Sequence, residues 1–509
     1  MTLDEKTAAQ VMAQFSAKLG GVEPEWTMRK RPDGSFIEVE FIEPSERIYK
    51  ITNEINARLS QEIGIESTIT VKRRTKKPLN RLRLPETSLL QKILSESLTI
   101  DQYSFEEDFE TRYIPSVSNF EQTVTAKANH VVFGRRGAGK SSLLAYGLHT
   151  SRRAGYLTCW ISMQLYAGRS DRMVIAAVLG ELLVAMEEQT SFATEINVLI
   201  KKLDRISVLD NEESAGSELD RLLPQMKRLL SSIAKSTRPL FIYLDDMHVL
   251  NESLQPTLLG KIYALTRANN CYLKISGIEQ LTKLWNASGK FGLEAPHDAQ
   301  LLRLDYNLTM PDRSLEHIKS ILDAHAVYCG LPGISYLVEA DALNRLVLAA
   351  AAVPRDALAL TSAGLTKATL TQKKSLTVTS INAAASEAVE GKLQDIEKDA
   401  SVEFGAVSSL LEKIKIFCIT TKRKNAFLVR IQNSNSGYLM IQKLIALRLV
   451  HVLHEGTTPY KAGERFIALM LDFGFYTGIR AATSVDLFPD RPRQLLAAEL
   501  RKLPVFVPS

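Results

Sequence analysis

The sequence lacks the features of membrane and secreted proteins. No run approaches the roughly 18 consecutive apolar residues that a transmembrane helix needs. The first residues, MTLDEKTAAQ, include two acids and no apolar segment, so we expect no secretory signal. These absences exclude an integral membrane protein, and we expect a cytoplasmic protein that makes no membrane contact.

Cysteine and histidine are both scarce. The four cysteines lie far apart in the sequence, which excludes the close spacing of a zinc knuckle. The eight histidines show no HExxH or paired spacing, so zinc chemistry is not predicted. We expect the cysteines to be reduced and to lie in the core of a cytosolic protein.

Neither sign of charge dominates the composition. The chain has 63 basic and 57 acidic residues, a net charge of +6 over 509 residues, which does not by itself imply nucleic acid as a partner. The apolar fraction of 45% and charged fraction of 24% are typical of soluble globular proteins. At roughly 150 residues per domain, the length predicts several domains.

The pattern along the chain predicts an α/β protein in four parts. Residues 1–83 indicate a small N-terminal α+β unit followed by a basic linker. Residues 84–310 alternate short apolar strands with helices, which favours a parallel-sheet core, with a helical insertion at about 171–237. Residues 311–400 predict an all-helical lid, and residues 401–509 predict a C-terminal winged-helix-like domain and a tail.

The strongest motif is a glycine-rich segment between a predicted strand at 131–133 and a predicted helix. It fits the P-loop pattern GxxxxGK[ST] at every fixed position. In such a loop the backbone N–H groups surround phosphate oxygens, Lys140 reaches the β- and γ-phosphates, and the hydroxyl of Ser141 binds Mg²⁺. The alternative is a glycine-rich turn without a ligand. The predicted ATP-binding residues are Gly134, Arg135, Arg136, Gly137, Ala138, Gly139, Lys140, Ser141 and Ser142.

A second motif ends another apolar strand, in the segment FIYLDD. Asp245 is predicted to hold Mg²⁺ through water, and Asp246 to polarise the attacking water during ATP hydrolysis. An aspartate at the second position is one methylene shorter than a glutamate, which permits hydrolysis without requiring a fast rate. The alternative is that the two acids only cap the helix that follows.

Together these motifs resemble an AAA+ ATPase of the ORC/Cdc6-like group. The resemblance covers about residues 111–476 and also includes the segments VPRDAL and TVTSINAAASEAV. It implies a P-loop ATPase core, a helical lid and a winged helix. It also implies that Ser276 senses the γ-phosphate and that Arg355 in the lid reaches ATP.

Two features depart from this resemblance. The group usually carries Asp-Glu where this chain has Asp245 and Asp246, a pair similar to that of STAND signalling ATPases. No arginine finger can be assigned, because the candidates Arg303 and Arg313 are better explained as surface or strand-edge residues.

Basic residues cluster at two places. Seven of them lie between Lys72 and Arg83 with no acid among them, which indicates either a solvated, mobile linker or contact with nucleic-acid phosphates. In the predicted winged helix, Lys443 and Arg448 lie on the second helix, which is mostly apolar. That domain therefore has two interpretations, DNA contact and protein docking.

Two functions remain open on the sequence. The first is an ATPase that uses its nucleotide state to control assembly on or beside DNA, as a homo-oligomer or with a partner protein. The second is a STAND-like nucleotide-dependent switch that controls an effector protein, for example in prokaryotic antiviral defence. Both require ATP and Mg²⁺, and only the first requires DNA.

Overall fold

The chain forms two compact units in the computed structural model. One unit comprises Met1–Thr99, Thr111–Ile114 and Tyr306–Ser509, and the other comprises Ile100–Glu110 and Pro115–Asp305. The structure describes all residues except 1–2, 33, 64–67, 107, 170, 210–211, 236–237, 305–307, 400–403, 433–434, 459–463, 478–484 and 509. The four sequence domains proposed above are not tested by this division and stay a prediction.

The N-terminal part of the first unit is a small α+β arrangement. Its elements are α1 (Glu5–Lys18), β1 (Glu25–Arg31), β2 (Gly34–Phe41), α2 (Glu46–Ile63), β3 (Ile69–Arg73) and α3 (Pro85–Glu96). β2 is central, antiparallel to β1 and parallel to β3. Ile37, Val39 and Phe41 alternate along β2 and are buried, which is the two-residue period of a strand with one face in the core.

The basic segment from Lys72 to Arg83 is not a free linker, which corrects that interpretation. Its first two residues belong to β3, and Arg81–Arg83 form a short 3-10 helix in which Arg81 donates a hydrogen bond to the carbonyl of Tyr336. Three of its cations face glutamates that are distant in sequence: Lys72 with Glu38 at 3.5 Å, Arg73 with Glu43 at 2.5 Å and Arg74 with Glu25 at 3.1 Å.

The second unit contains the parallel sheet. Its elements are α4 (Phe120–Val124), β4 (His130–Phe133), α5 (Lys140–Arg153), β5 (Leu157–Ser162), α6 (Asp171–Glu187), α7 (Ala193–Ser207), α8 (Glu212–Ile233), β6 (Leu240–Asp245), α9 (Leu254–Thr266), β7 (Cys271–Gly277), β8 (Trp285–Asn286), β9 (Phe291–Gly292) and β10 (Gln300–Arg303).

The sheet of five strands has the order β10-β4-β7-β6-β5, and all neighbouring strands are parallel. This confirms the predicted parallel-sheet core. All residues of β4 and β6 are buried, as expected for strands covered on both faces. Helices α6, α7 and α8 lie between β5 and β6 in sequence. The carboxyl ends of β4, β6 and β7 meet at one edge, where ligands of open α/β sheets bind.

The rest of the first unit begins with helices and ends with a small sheet. Its elements are α10 (Pro311–Tyr328), α11 (Ala340–Ala349), α12 (Pro354–Leu370), α13 (Val378–Asp399), α14 (Phe404–Lys415), β11 (Ala426–Arg430), α15 (Ser436–Ala446), β12 (Val450–Thr457), β13 (Phe466–Leu471) and α16 (Ala497–Leu500). The antiparallel sheet has the order β11-β13-β12. From α14 to β13 the order is helix, strand, helix, strand, strand, as a winged helix requires.

A buried network of charged side chains connects this small sheet to α12 and α13 within the same unit. Nζ of Lys392 lies 2.6 Å from Oδ2 of Asp472 and 3.5 Å from Oδ2 of Asp356. Arg448 pairs with Asp356, and Nε2 of His451 lies 2.8 Å from Oδ2 of Asp472. Arg448 is only 3% exposed. Arg448 therefore points into the unit and is not available for the DNA contact that the sequence suggested for this region.

All four cysteines are free and buried. Among the described residues, no helix is long and apolar enough to cross a membrane.

Candidate nucleotide-binding site

The glycine-rich loop joins the buried strand β4 to helix α5. Gly139 caps the start of α5 with a φ of 92°, a left-handed conformation that glycine adopts without strain. A Cβ added to Gly134 would lie 3.2 Å from Cβ of Ala138 and 3.3 Å from the carbonyl oxygen of Leu304. The glycines thus allow a compact loop that ends at the N-terminus of a helix, where phosphate binds favourably.

Lys140 is the first residue of α5 and is 5% exposed. Its Nζ lies 3.3 Å from the carbonyl oxygen of Arg135, so the ammonium group lies against the loop. An ammonium group in this position can meet the phosphates that the loop surrounds.

Three predicted residues meet at the carboxyl edge of the sheet. The hydroxyls of Ser141 and Ser276 both donate to Oδ1 of Asp245, at 3.1 and 2.5 Å. Oγ of Ser276 also accepts a hydrogen bond of 2.8 Å from the backbone N–H of Asp246. The parallel register of β6 and β7 pairs Leu244 with Ile275, which places Asp245 beside Ser276. Strands distant in sequence thus bring together residues that were predicted independently.

Asp245 is 6% exposed. Burial raises its pKa to about 6 and nearby Asp246 adds to the rise, while hydrogen bonds from Ser276 and Ser141 and the charge of Lys140 oppose it. A cation placed beside this carboxylate would favour its ionised form. The site is therefore suited to a positively charged ligand.

The residues present fit Mg²⁺. This ion prefers oxygen donors and usually keeps several water and phosphate ligands. Ser141 and Asp245 offer a hydroxyl and a carboxylate oxygen 3.1 Å apart. Among the described residues there is no cluster of three His, Cys, Asp or Glu side chains that could hold a metal. The remaining ligands of Mg²⁺ would therefore come from the nucleotide and from water.

Asp246 lies outside the strand in a left-handed turn, with a φ of 59°. Its Oδ2 accepts a hydrogen bond of 3.2 Å from Nε2 of Gln164, which follows the carboxyl end of β5. Its Oδ1 lies 3.8 Å from Nδ1 of His248, whose side chain is 3% exposed. Burial lowers the pKa of His248 to about 4, although Asp246 acts in the opposite direction, so the ring is neutral at pH 7.

Gln164 and His248 were missed on the sequence. Gln164 could have been found, because it follows a predicted strand whose carboxyl end lies at the same edge as Asp245. His248 gave no signal, because only the left-handed turn at Asp246 brings a side chain two positions later back to the carboxylate.

Arg355 belongs to the other unit. It is the second residue of α12 and lines a cavity of about 380 Å³ together with Asp356, Lys392 and Asp472. Its contact with ATP stays a prediction. One of the two candidate arginine fingers, Arg303, forms a bidentate ion pair with Glu279, in which the shortest N–O distance is 2.7 Å.

The fold and the site have the features of a P-loop ATPase core: a parallel sheet, a glycine-rich loop before a helix, and a buried aspartate on a neighbouring strand. Residues 120–273 match the family described as AAA ATPase domain. The predicted AAA+ assignment is confirmed for the ATPase domain. No curated protein matches the sequence.

Solved structures that resemble the chain include ORC and Cdc6 proteins. Drosophila ORC bound to DNA is 13% identical, with a TM-score of 0.37, over 85% of this chain and 100% of that chain. Aeropyrum pernix ORC1 in complex with DNA is 13% identical, with a TM-score of 0.39, over 73% and 93%. Cdc6p from Pyrobaculum aerophilum is 13% identical, with a TM-score of 0.34, over 73% and 94%. Similarity this low does not extend to function.

Proposed function

We propose that this protein binds Mg²⁺-ATP at the loop 134–142 and hydrolyses it. The proposal rests on the hydrogen bonds by which Ser141 and Ser276 both donate to Asp245 beside a glycine-rich loop. The three side chains come from different elements, and a hydroxyl and an ionisable carboxylate meet where a helix N-terminus attracts phosphate.

Each residue has a distinct role in this proposal. Lys140 binds the β- and γ-phosphates, and Ser141 and Asp245 hold Mg²⁺, which would neutralise charge on the phosphate oxygens. Asp246 orients the attacking water through a hydrogen bond. The water oxygen bonds to the γ-phosphorus, the bond from the γ-phosphorus to the β–γ bridging oxygen breaks, and ADP leaves. Asp246 accepts one proton of the water and passes it to the phosphate product or to solvent, and the other proton remains on the phosphate product.

Replacement of Asp246 tests hydrolysis separately from binding. Asp246→Asn keeps the size of the side chain and removes its charge. We expect kcat to fall by at least about 100-fold, because general-base assistance contributes about that much, while ATP affinity stays within about threefold. A loss of affinity with unchanged kcat would instead assign the catalytic role to Asp245.

We further propose that the nucleotide state controls assembly on or beside DNA, in the cytoplasm and among copies of this chain or with a partner protein. Support comes from the cations of the segment Lys72–Arg83 that form no ion pair within the described part of the chain. Lys76, Lys77 and Arg83 are exposed, and no ion pair joins them to a carboxylate of the described residues. Exposed cations of this kind contact phosphate backbones without reading sequence.

The alternative is a nucleotide-dependent switch that acts on an effector protein. The pair Asp245 and Asp246 favours this alternative. The side chain of Asp246 is shorter than that of a glutamate and already accepts a hydrogen bond from Gln164, which is compatible with slow hydrolysis. ATPase rates with and without duplex DNA at two salt concentrations separate the two functions. Stimulation that disappears at high salt supports DNA, and an unchanged rate together with no DNA binding at low salt supports the switch.

A further inference from the structure

His248 has an unusual position beside the proposed catalytic carboxylate. Its Nδ1 is buried and has no hydrogen-bond partner among the described residues. Oδ1 of Asp246 lies 3.8 Å from this nitrogen. This distance is beyond a hydrogen bond but within reach of a small rotation of either side chain.

The backbone explains why these two side chains face each other. The left-handed conformation of Asp246 reverses the chain, and the following 3-10 turn is closed by a hydrogen bond of 3.1 Å from N–H of Val249 to the carbonyl of Asp246. The N–H of Asp246 is itself fixed by Ser276. The turn therefore holds the side chain of His248 next to the carboxylate of Asp246.

The two oxygens of Asp246 face different nitrogen atoms. Oδ2 accepts from Gln164, and Oδ1 faces the ring nitrogen of His248. A carboxylate has about four acceptor positions, so one donor on each oxygen leaves further lone pairs for water. Two donors would fix the plane of the carboxylate and still permit it to accept a hydrogen bond from the attacking water.

We propose that His248 is a positioning residue for ATP hydrolysis: in the nucleotide-bound state its Nδ1–H donates to Oδ1 of Asp246 and, with Gln164, orients the carboxylate toward the attacking water. This inference rests on the proposed hydrolytic function. A role in packing alone does not explain the histidine, because an apolar side chain would fill the same space without burying a nitrogen that lacks a hydrogen-bond partner.

The test compares two substitutions of the same residue. His248→Leu fills the space without a donor, whereas His248→Asn carries an amide N–H near the place of Nδ1. We expect His248→Leu to lower kcat by about 10-fold to 100-fold, as is usual for the loss of a group that orients a catalytic ligand, with the Kd for ATP within about threefold. We expect His248→Asn to recover most of kcat.

His149→Leu is a matched control in the same unit. His149 lies on α5, has a buried ring nitrogen without a hydrogen bond, and faces a carboxylate oxygen of Glu110 at 3.5 Å, outside the proposed site. We expect its kcat to equal that of the wild type. Thermal unfolding of every variant identifies effects that come from a loss of folded protein.

Parallel assays of the wild type and of Asp246→Asn separate the two proposals. If the wild type hydrolyses ATP, Asp246→Asn does not, and folded His248→Leu keeps the wild-type kcat, the positioning role is wrong and hydrolysis stands. The positioning role is equally wrong if His248→Asn and His248→Leu lose activity to the same extent. If the wild type hydrolyses no ATP, both proposals are overturned.

Discussion

Ser276→Ala is the perturbation that the structure specifies most closely. The hydroxyl of this fully buried serine donates to Oδ1 of Asp245 at 2.5 Å and accepts from the N–H of Asp246 at 2.8 Å. Alanine removes both bonds and leaves a backbone N–H without its partner. It introduces no steric conflict, because it only deletes an oxygen atom.

The magnitude follows from the two bonds. A hydrogen bond to a charged group contributes about 1.5–3 kcal/mol, and one between neutral groups contributes about 0.5–1.5 kcal/mol. We therefore expect Ser276→Ala to lower the free energy of unfolding by about 2–4 kcal/mol at pH 8, where Asp245 is ionised. The substitution also frees Asp245 and Asp246 to move, so we expect kcat to fall more than the affinity for ATP.

Urea denaturation followed by circular dichroism measures the stability, and a coupled phosphate-release assay measures kcat. Ser151→Ala is a useful comparison, because its buried hydroxyl is bonded to the hydroxyl of Tyr243 at 3.0 Å in the same unit but outside the site. It is expected to lower stability without a specific loss of kcat. A stability change below about 0.5 kcal/mol for Ser276→Ala, with unchanged kcat, would refute the reasoning.

Three further predictions follow from other parts of the chain. Arg355→Ala should leave ADP affinity nearly unchanged and weaken the response specific to ATP; equal loss for both nucleotides, by calorimetry, would indicate a structural role. Lys392→Met should cost about 3–5 kcal/mol in urea denaturation at pH 7, because it leaves two buried carboxylates without their shared cation. Burial raises the pKa of Asp472, but Lys392 and His451 lower it more, so the pKa in the folded protein lies below its usual value. The stabilising effect of Asp472 is therefore present above about pH 4 and is lost as the pH falls further. The loss of unfolding free energy in Lys392→Met should accordingly become smaller below about pH 4. Replacing Lys76 and Lys77 with Gln should flatten the salt dependence of duplex binding, from a slope of about −3 for three phosphate contacts to about −1, without changing ATP affinity; an unchanged slope would exclude this segment as the contact.

The fold of the ATPase core could be predicted from sequence because its signals are local. Short apolar strands such as His130–Phe133 and Leu240–Asp245 are buried on both faces and therefore read as continuous apolar runs. The glycine-rich loop is a contiguous motif, and Asp245 is found by its position at the end of a buried strand. Each of these inferences needs only a few neighbouring residues.

The remaining features depend on contacts between distant residues. The basic segment resembles a linker until Glu25, Glu38 and Glu43 are found beside its cations. Arg448 follows an apolar helix, and its inward direction is decided by Asp356, which is far away in sequence. Charged residues are poorly assigned by local pattern, because their location depends on where a partner of opposite charge lies.

The contacts of Asp246 illustrate the same limit at the site. Its hydrogen bond from Gln164 links the carboxyl ends of neighbouring strands β5 and β6, whose adjacency is set by sheet order. Its approach to His248 depends on a left-handed turn at a residue other than glycine, which sequence composition does not indicate.

The measurement that tests the central claim most directly is the affinity for Mg²⁺-ATP of Lys140→Ala, determined by calorimetry beside the wild type. Removal of charge-assisted bonds to two phosphates, at about 1.5–3 kcal/mol each, predicts a Kd at least about 100-fold weaker with the fold retained. Lys201→Ala, an exposed lysine on α7 of the same unit, should bind as the wild type does. Wild-type affinity in folded Lys140→Ala protein would contradict the assignment of the loop as the ATP site.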